Sequence, residues 1–401
     1  MSYTARLIQV EQHGDREVIV RCPEGLPSPE INLYLMTYRE CSYSYRLTMA
    51  YSIMRVYEWA KKQDIDLVER IQSGEFLSFL EMQSLQSSLR FRSRAPTDTP
   101  QTLEIGKKTF IGESTYTTRC RHVLAFLNYL GDVFAGSRKL TDPYRKNKRD
   151  FIARLSQLFK AHRALTIPNQ RYGLTEEQVH KLRWCVDPDN PDNPFQKRVR
   201  FRNQLIIDLL LLTGIRDGEL LCLRPDALIR RPHGYVLRVT QNTTLDLDTR
   251  TNPPNVKTYE REIPVTERLA GMVDNYIVTE RKQRGKAAAK APPYLFLNTK
   301  INPQPITISA LVNLCNRVRK MEPKALKNLY PHILRHTFND LLVLTTKLDP
   351  SGEEFKNIQR QLCGWSSTST QGLEYMKRSR EIIASRHLQE IEKQFTLKKS
   401  H

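Results

Sequence analysis

His332-Ile333-Leu334-Arg335-His336-Thr337 places basic side chains at i, i+3 and i+4. On a helix such positions share one face, so His332, Arg335 and His336 converge on one point. Two imidazoles and a guanidinium suit an anion with several oxygens, such as a phosphodiester. The same trio also fits a structural polar helix or a metal site. Metal is the weaker alternative, because only Asp340, one turn on, stands at ligand spacing. Downstream, Tyr375 in Gly372-Leu373-Glu374-Tyr375-Met376-Lys377 is a candidate nucleophile toward that phosphate. Of 17 tyrosines only Tyr330 and Tyr375 follow Tyr294, and Tyr330 precedes the histidine box. Cleavage by a tyrosine hydroxyl also needs charge stabilisation on the non-bridging oxygens and a proton donor for the leaving oxygen.

Thr213-Gly214-Ile215-Arg216-Asp217-Gly218-Glu219-Leu220 supplies a second cation. Gly214 allows a tight junction between two apolar helices, and Arg216 is the one cation in an otherwise apolar passage. An arginine there can fork onto a phosphate with two parallel hydrogen bonds, which a lysine cannot do. The alternative is a helix-terminal arginine paired to Asp217 or Glu219.

The elements that must position these residues follow from periodicity. Residues 5–22 carry two short apolar runs around His13-Gly14-Asp15, the pattern of a β-hairpin. From Ile31 to Leu89 the spacing is helical, with Phe76, Leu77, Leu80 and Leu85 marking a second helix there. Arg90 to Thr102 is a basic, Pro- and Thr-containing loop. Another helix is expected after the cap candidates Ser114-Thr115, and a basic amphipathic one from Pro143 to Leu165. Thr175 to Gln178 reads as a capping box that opens a second domain. Within it, Arg198–Leu212 is a strongly apolar helix, Asp217–Leu223 restarts helix, and Tyr235–Thr240 and Glu262–Val265 are strands. From Thr266 onward the pattern is helical, interrupted at prolines. The expected organisation is a short N-terminal extension over 1–30, a helical domain over 31–165, a linker over 166–174 and a second domain over 175–401.

Composition narrows the partner. The 401 residues hold 63 Lys plus Arg against 43 Asp plus Glu, a formal net charge of +20. That excess runs through both halves and points to a polyanion, through phosphate contacts and counterion release. The seven cysteines are scattered without a CxxC pair, so neither a disulfide framework nor a zinc cluster is expected. With no apolar leader and no run near about 18 apolar residues, the expectation is a soluble cytoplasmic protein, at the nucleoid if DNA is its partner, and no membrane association.

The order TGIRDGEL, HILRHT, Gly364-Trp365 and then Tyr375 resembles the signature of the tyrosine recombinases, the phage-integrase family. The match covers residues 175–401, and the helical segment before it is similar to that family's core-binding domain in pattern. The resemblance implies a mainly α fold with a small β-sheet, namely a helical core-binding domain that clamps DNA and an α+β catalytic domain. It implies that Arg216 and Arg335 clamp the scissile phosphate, that His332 assists proton transfer, and that Tyr375 is the nucleophile. Trp365 falls where many members carry histidine; an indole donates one hydrogen bond but shuttles no proton. Glu219 falls at a supporting acid that orients the site, and His336 drops to a packing or backbone-bonding role.

The family's lysine on a β-hairpin, general acid toward the 5′ oxygen, corresponds to Lys257, the only lysine between Tyr235 and Glu262. Two features depart from the pattern. Trp365 to Tyr375 spans ten residues, one more than usual, and the stretch from Asn242 to Asn255 is longer than a minimal hairpin connection. The implied activity is site-specific recombination of a mobile element through a 3′-phosphotyrosyl link, without metal, ATP or cofactor. The implied partners are double-stranded DNA and three further copies of the chain, a homo-tetramer on two DNA sites. The C-terminal helix, Arg380 to Phe395, packs either on its own domain or on a neighbour. Two other activities share these residues: DNA relaxation of the type IB topoisomerase kind, and DNA binding by a regulator with a defunct site.

Overall fold

The computed structural model describes residues 3–9, 16–92, 110–161, 172–241, 248–250, 253–254, 256, 258–288, 292–350, 352–366, 369, 372, 384–385 and 387–393. It is mainly helical with two small antiparallel sheets. The chain divides into two compact units, Met1–Asn169 and Gln170–His401. The turn of the expected hairpin, residues 93–102 of the expected basic loop and most of the expected linker lie outside the described residues.

In the first unit, β1 (Thr4–Gln9) pairs antiparallel with β2 (Arg16–Arg21). Val18 and Val20 of β2 are buried in the unit's core, so the strand pair is part of its packing. Four helices follow: α1 (Pro29–Met36), α2 (Tyr43–Lys62), α3 (Leu67–Ser73) and α4 (Phe79–Ser88). The α4 start corrects the sequence reading. A capping box between Ser78 and Glu81 fixes the helix at Phe79, so Phe76 and Leu77 are buried ahead of it and Leu80 faces solvent. The next helix, α5 (Glu113–Ala135), begins one residue before the expected caps. Gly112 is its N-cap, while Ser114 and Thr115 sit exposed in its first turn. α6 (Pro143–Ala161) completes the unit.

In the second unit, the capping box at Thr175 is formed. Thr175 accepts from the Gln178 N–H, Gln178 accepts from the Thr175 N–H, and α7 (Glu176–Val186) follows. α8 (Lys197–Thr213) buries Leu205, Ile206, Ile207, Leu209, Leu210 and Leu211, apolar on nearly every side as a central helix must be. After α9 (Asp217–Cys222) comes a sheet in the order β3 (Leu228–Arg231), β4 (Gly234–Val239), β5 (Arg261–Val265), antiparallel throughout. The sequence reading missed β3. Its four residues carry two arginines and are half-exposed at best, so no apolar alternation marks them.

Thr266 then caps α10 (Glu267–Tyr276), which continues through a π-helical turn at Ile277–Arg281 into α11 (Lys282–Ala287). α12 (Ile308–Met321), α13 (Pro331–Thr345) and α14 (Glu353–Cys363) follow, and residues 387–393 are helical. α13 packs along α8, and the start of the unit is strapped to it. The Gly173 N–H donates to Asp340 Oδ2 at 3.0 Å, and the Leu174 N–H to Thr337 Oγ1 at 2.8 Å. All seven cysteines are free thiols and five are buried.

Candidate active site

The site is organised by the C-terminus of α14. The last carbonyls of a helix lack intrahelical partners and carry its negative dipole end, so they attract guanidinium groups. α14 ends at Gly364 in the left-handed region, φ +64°. Three arginines from three other elements meet its final carbonyls. Arg261 of β5 donates from Nε to the Leu362 carbonyl at 2.9 Å. The Cys363 carbonyl oxygen accepts from Arg335 Nη2 at 2.9 Å and from Arg216 Nη1 at 3.3 Å. Arg216 and Arg335, far apart in sequence, thus hold their guanidiniums on one oxygen atom.

Each arginine is set by local chain geometry. α8 ends at Gly214, φ +62°, where a Cβ would lie 2.2 Å from the Phe338 ring. Only glycine fits, and the chain turns at once into Ile215 and the α9 N-cap, Arg216. The Gly214 carbonyl accepts from Arg335 Nη1 at 2.5 Å, so the same turn that places Arg216 also fixes Arg335. Arg335 is 1% exposed, and among the described residues its Nε has no hydrogen-bond partner. Its guanidinium carbon lies 5.5 Å from the centre of the Trp365 ring, a cation–π approach. Arg216 keeps a quarter of its side chain in solvent.

His332 and His336 both lie on α13 beside Arg335, half-buried, with ring centres 5.0 Å apart and nearly perpendicular. The i, i+3, i+4 spacing therefore does bring the trio to one face. Trp365 is buried with Cys363 under Phe338. Lys257 and Tyr375 lie outside the described residues. On either side of Lys257, Val256 packs with Cys222 and Tyr294, and Thr258 is buried.

Glu219 is 2% exposed and sits at the centre of a polar network. One oxygen accepts from the Arg216 backbone N–H at 2.8 Å, closing the first turn of α9. Arg261 forks onto both carboxylate oxygens, at 2.8 and 3.1 Å, and the Thr258 hydroxyl donates to one of them. Burial pushes its pKa up, but Arg261, Thr258 and the Arg216 N–H outweigh that and hold the carboxyl below the ordinary glutamate range. A further buried chain supports α14: Gln359 donates to Asn339 at 3.0 Å, and Asn339 donates to the Arg335 carbonyl at 2.9 Å.

Arg261 and Thr258 were missed in the sequence. A signal existed for the arginine: Arg261, Ile263 and Val265 share one face of a strand by their period of two, and a cation on an apolar face needs a partner. Among the described residues no group of three His, Cys, Asp or Glu side chains is placed to hold a metal ion.

This arrangement gathers two guanidiniums on one carbonyl oxygen beside two imidazoles, and the architecture around it has known parallels. The Tn1549 transposon integrase in complex with a circular intermediate DNA superimposes with a TM-score of 0.50 at 19% identity, covering 89% of this chain and 98% of that one. A second structure of that integrase with circular intermediate DNA gives 0.47 at 19% identity, over 89% and 99%. The XerH site-specific recombinase bound to difH substrate gives 0.39 at 16% identity, over 78% and 84%. Neither a family model nor a curated protein matches the sequence. The chain has the tyrosine-recombinase fold.

Proposed function

We propose that this chain is a tyrosine-type site-specific DNA recombinase that cuts and rejoins double-stranded DNA through a 3′-phosphotyrosyl intermediate, in the service of a mobile element. The observation that carries the reading is the convergence of Arg216 and Arg335 on the Cys363 carbonyl oxygen. Two guanidiniums gathered at one point match the non-bridging oxygens of a phosphodiester, where negative charge grows in the transition state. The net charge of +20 supplies the long-range attraction for a DNA backbone.

In this reading the phenolic oxygen of Tyr375 attacks the scissile phosphorus, the P–O5′ bond breaks, and the 3′-phosphate stays on the tyrosine. His332, half-buried next to Arg335, assists the proton movements, and Lys257 delivers a proton to the departing 5′ oxygen. Trp365 packs against Arg335 and holds the clamp in place. Glu219 fixes the start of α9, and His336 supports His332. Attack by a 5′-hydroxyl from a partner duplex reverses the steps, so resealing needs no external energy source. Exchange between two DNA sites calls for four subunits, one for each strand cut. No described helix is long and apolar enough to cross a membrane.

The test uses a nicked duplex carrying the element's site, from which the short 5′-hydroxyl strand diffuses away after cleavage. The wild-type chain forms a covalent adduct stable to denaturant. Tyr375→Phe forms none and binds the duplex as before. An adduct that persists in Tyr375→Phe overturns the nucleophile assignment. Relaxation of plasmid without joining of two sites overturns recombination.

A further inference from the structure

Glu219 touches two arginines unequally. Arg261 takes both carboxylate oxygens, at 2.8 and 3.1 Å, and its side chain is only 5% exposed. Thr258 donates to the same carboxylate. Arg216 Nη1 reaches Glu219 only at 3.5 Å, three residues along the same helix start, from a side chain that is 25% exposed. A buried carboxylate binds whichever cation completes its coordination, and a guanidinium forked onto a carboxylate has fewer N–H groups left for a phosphate. Arg261 is also pinned by the Leu362 carbonyl and by close packing under Gly364, so it cannot leave the pair.

We infer that Arg261 is a positioning residue: by saturating Glu219 it keeps the Arg216 guanidinium directed at the DNA phosphate instead of at its own helix. This rests on the proposed function, since it presumes that Arg216 binds the scissile phosphate. Without Arg261, the nearest cation to the uncompensated Glu219 carboxylate among the described residues is Arg216, already at 3.5 Å and needing only a side-chain rotation to close on it. The phosphate clamp then loses one of its two arginines to an internal ion pair.

The prediction that separates this from simple structural support is suppression. Arg261→Gln lowers the single-turnover rate of covalent adduct formation at saturating DNA by on the order of tenfold to a hundredfold, the scale of a misplaced clamp. Adding Glu219→Gln removes the competing charge, leaves the net charge equal to that of the wild type, and restores most of the rate. Arg261→Lys, which keeps the charge without the fork, falls between. Melting temperatures of all three variants are measured alongside, so that the rates are compared on folded protein. A double variant as slow as Arg261→Gln, or slower, overturns the inference, as does an Arg261→Gln variant with the wild-type rate. A wild-type chain that forms no adduct at all counts against the proposed function instead.

Discussion

At the scale of single residues, the account turns on what a buried guanidinium is for. Arg335 is almost wholly enclosed, yet two of its three nitrogens are spent on backbone carbonyls, those of Gly214 and Cys363. Such bonds lock the planar fork in one orientation, which a lysine ammonium on a flexible stem cannot reproduce. Arg335→Lys is therefore expected to lower adduct formation by about a hundredfold, the typical loss for one preorganised electrostatic contact, with duplex affinity changed far less. Equal losses in binding and cleavage would point to a generic basic patch instead. That His332, Arg335 and His336 share one face of α13 was legible in the sequence, because helical spacing alone determines which side chains lie together; Arg216, an N-cap, was singled out only as the one cation in an apolar passage. Arg261 was missed although its period of two with Ile263 and Val265 called for a partner, because that pattern does not reveal that the partners are Glu219 and the Leu362 carbonyl at the end of α14. Lys257 and Tyr375 rest on sequence order and spacing.

At the scale of elements, two left-handed glycines set the geometry. Gly364 ends α14 under Arg261, where an added Cβ would sit 2.6 Å from Nη1 and 3.0 Å from Thr258 Cβ. Gly364→Ala combines left-handed strain with displacement of that arginine. It is expected to destabilise the protein by about 1–3 kcal/mol, read from urea unfolding, and to slow adduct formation as well. The strap between the unit's start and α13 makes a second test. Thr337→Val keeps the shape but leaves the buried Leu174 N–H without its acceptor, a loss of about 1–3 kcal/mol. The capping box at Thr175 and the apolar run of α8 were visible in advance, since both are local patterns. β3 and the exposure of Leu80 were not, because a short edge strand and a capping box override the apolar count.

For the whole molecule, charge and pH set the working range. With an excess of 20 positive charges, duplex binding should weaken steeply and log-linearly with salt, as titrations at several concentrations would reveal. A salt-independent affinity would contradict a phosphate-led contact. The first unit carries its own pH dependence. His122 is buried beside Ser52, with no partner for Nε2 among the described residues. Burial, and then the Arg121 charge, lower its pKa in the folded state. The unfolded chain thus takes up the proton first. Stability is fully present above about 6.5, the ordinary histidine value, and is lost as pH falls below it toward the folded value. His122→Gln should flatten the fall in melting temperature between about pH 7 and pH 5.5; an unchanged slope would assign it elsewhere. The packing of Val18 and Val20 into the first core was not legible in the sequence, because two alternate residues look the same on a free hairpin. The claim that joins all three scales is that a phosphate held by Arg216 and Arg335 is attacked by Tyr375. It is tested most directly by digesting the trapped protein–DNA adduct and identifying the peptide that carries the nucleotide. The account predicts a single linked peptide with the 3′-phosphate on Tyr375; attachment at any other residue, or through a 5′-phosphate, would contradict it.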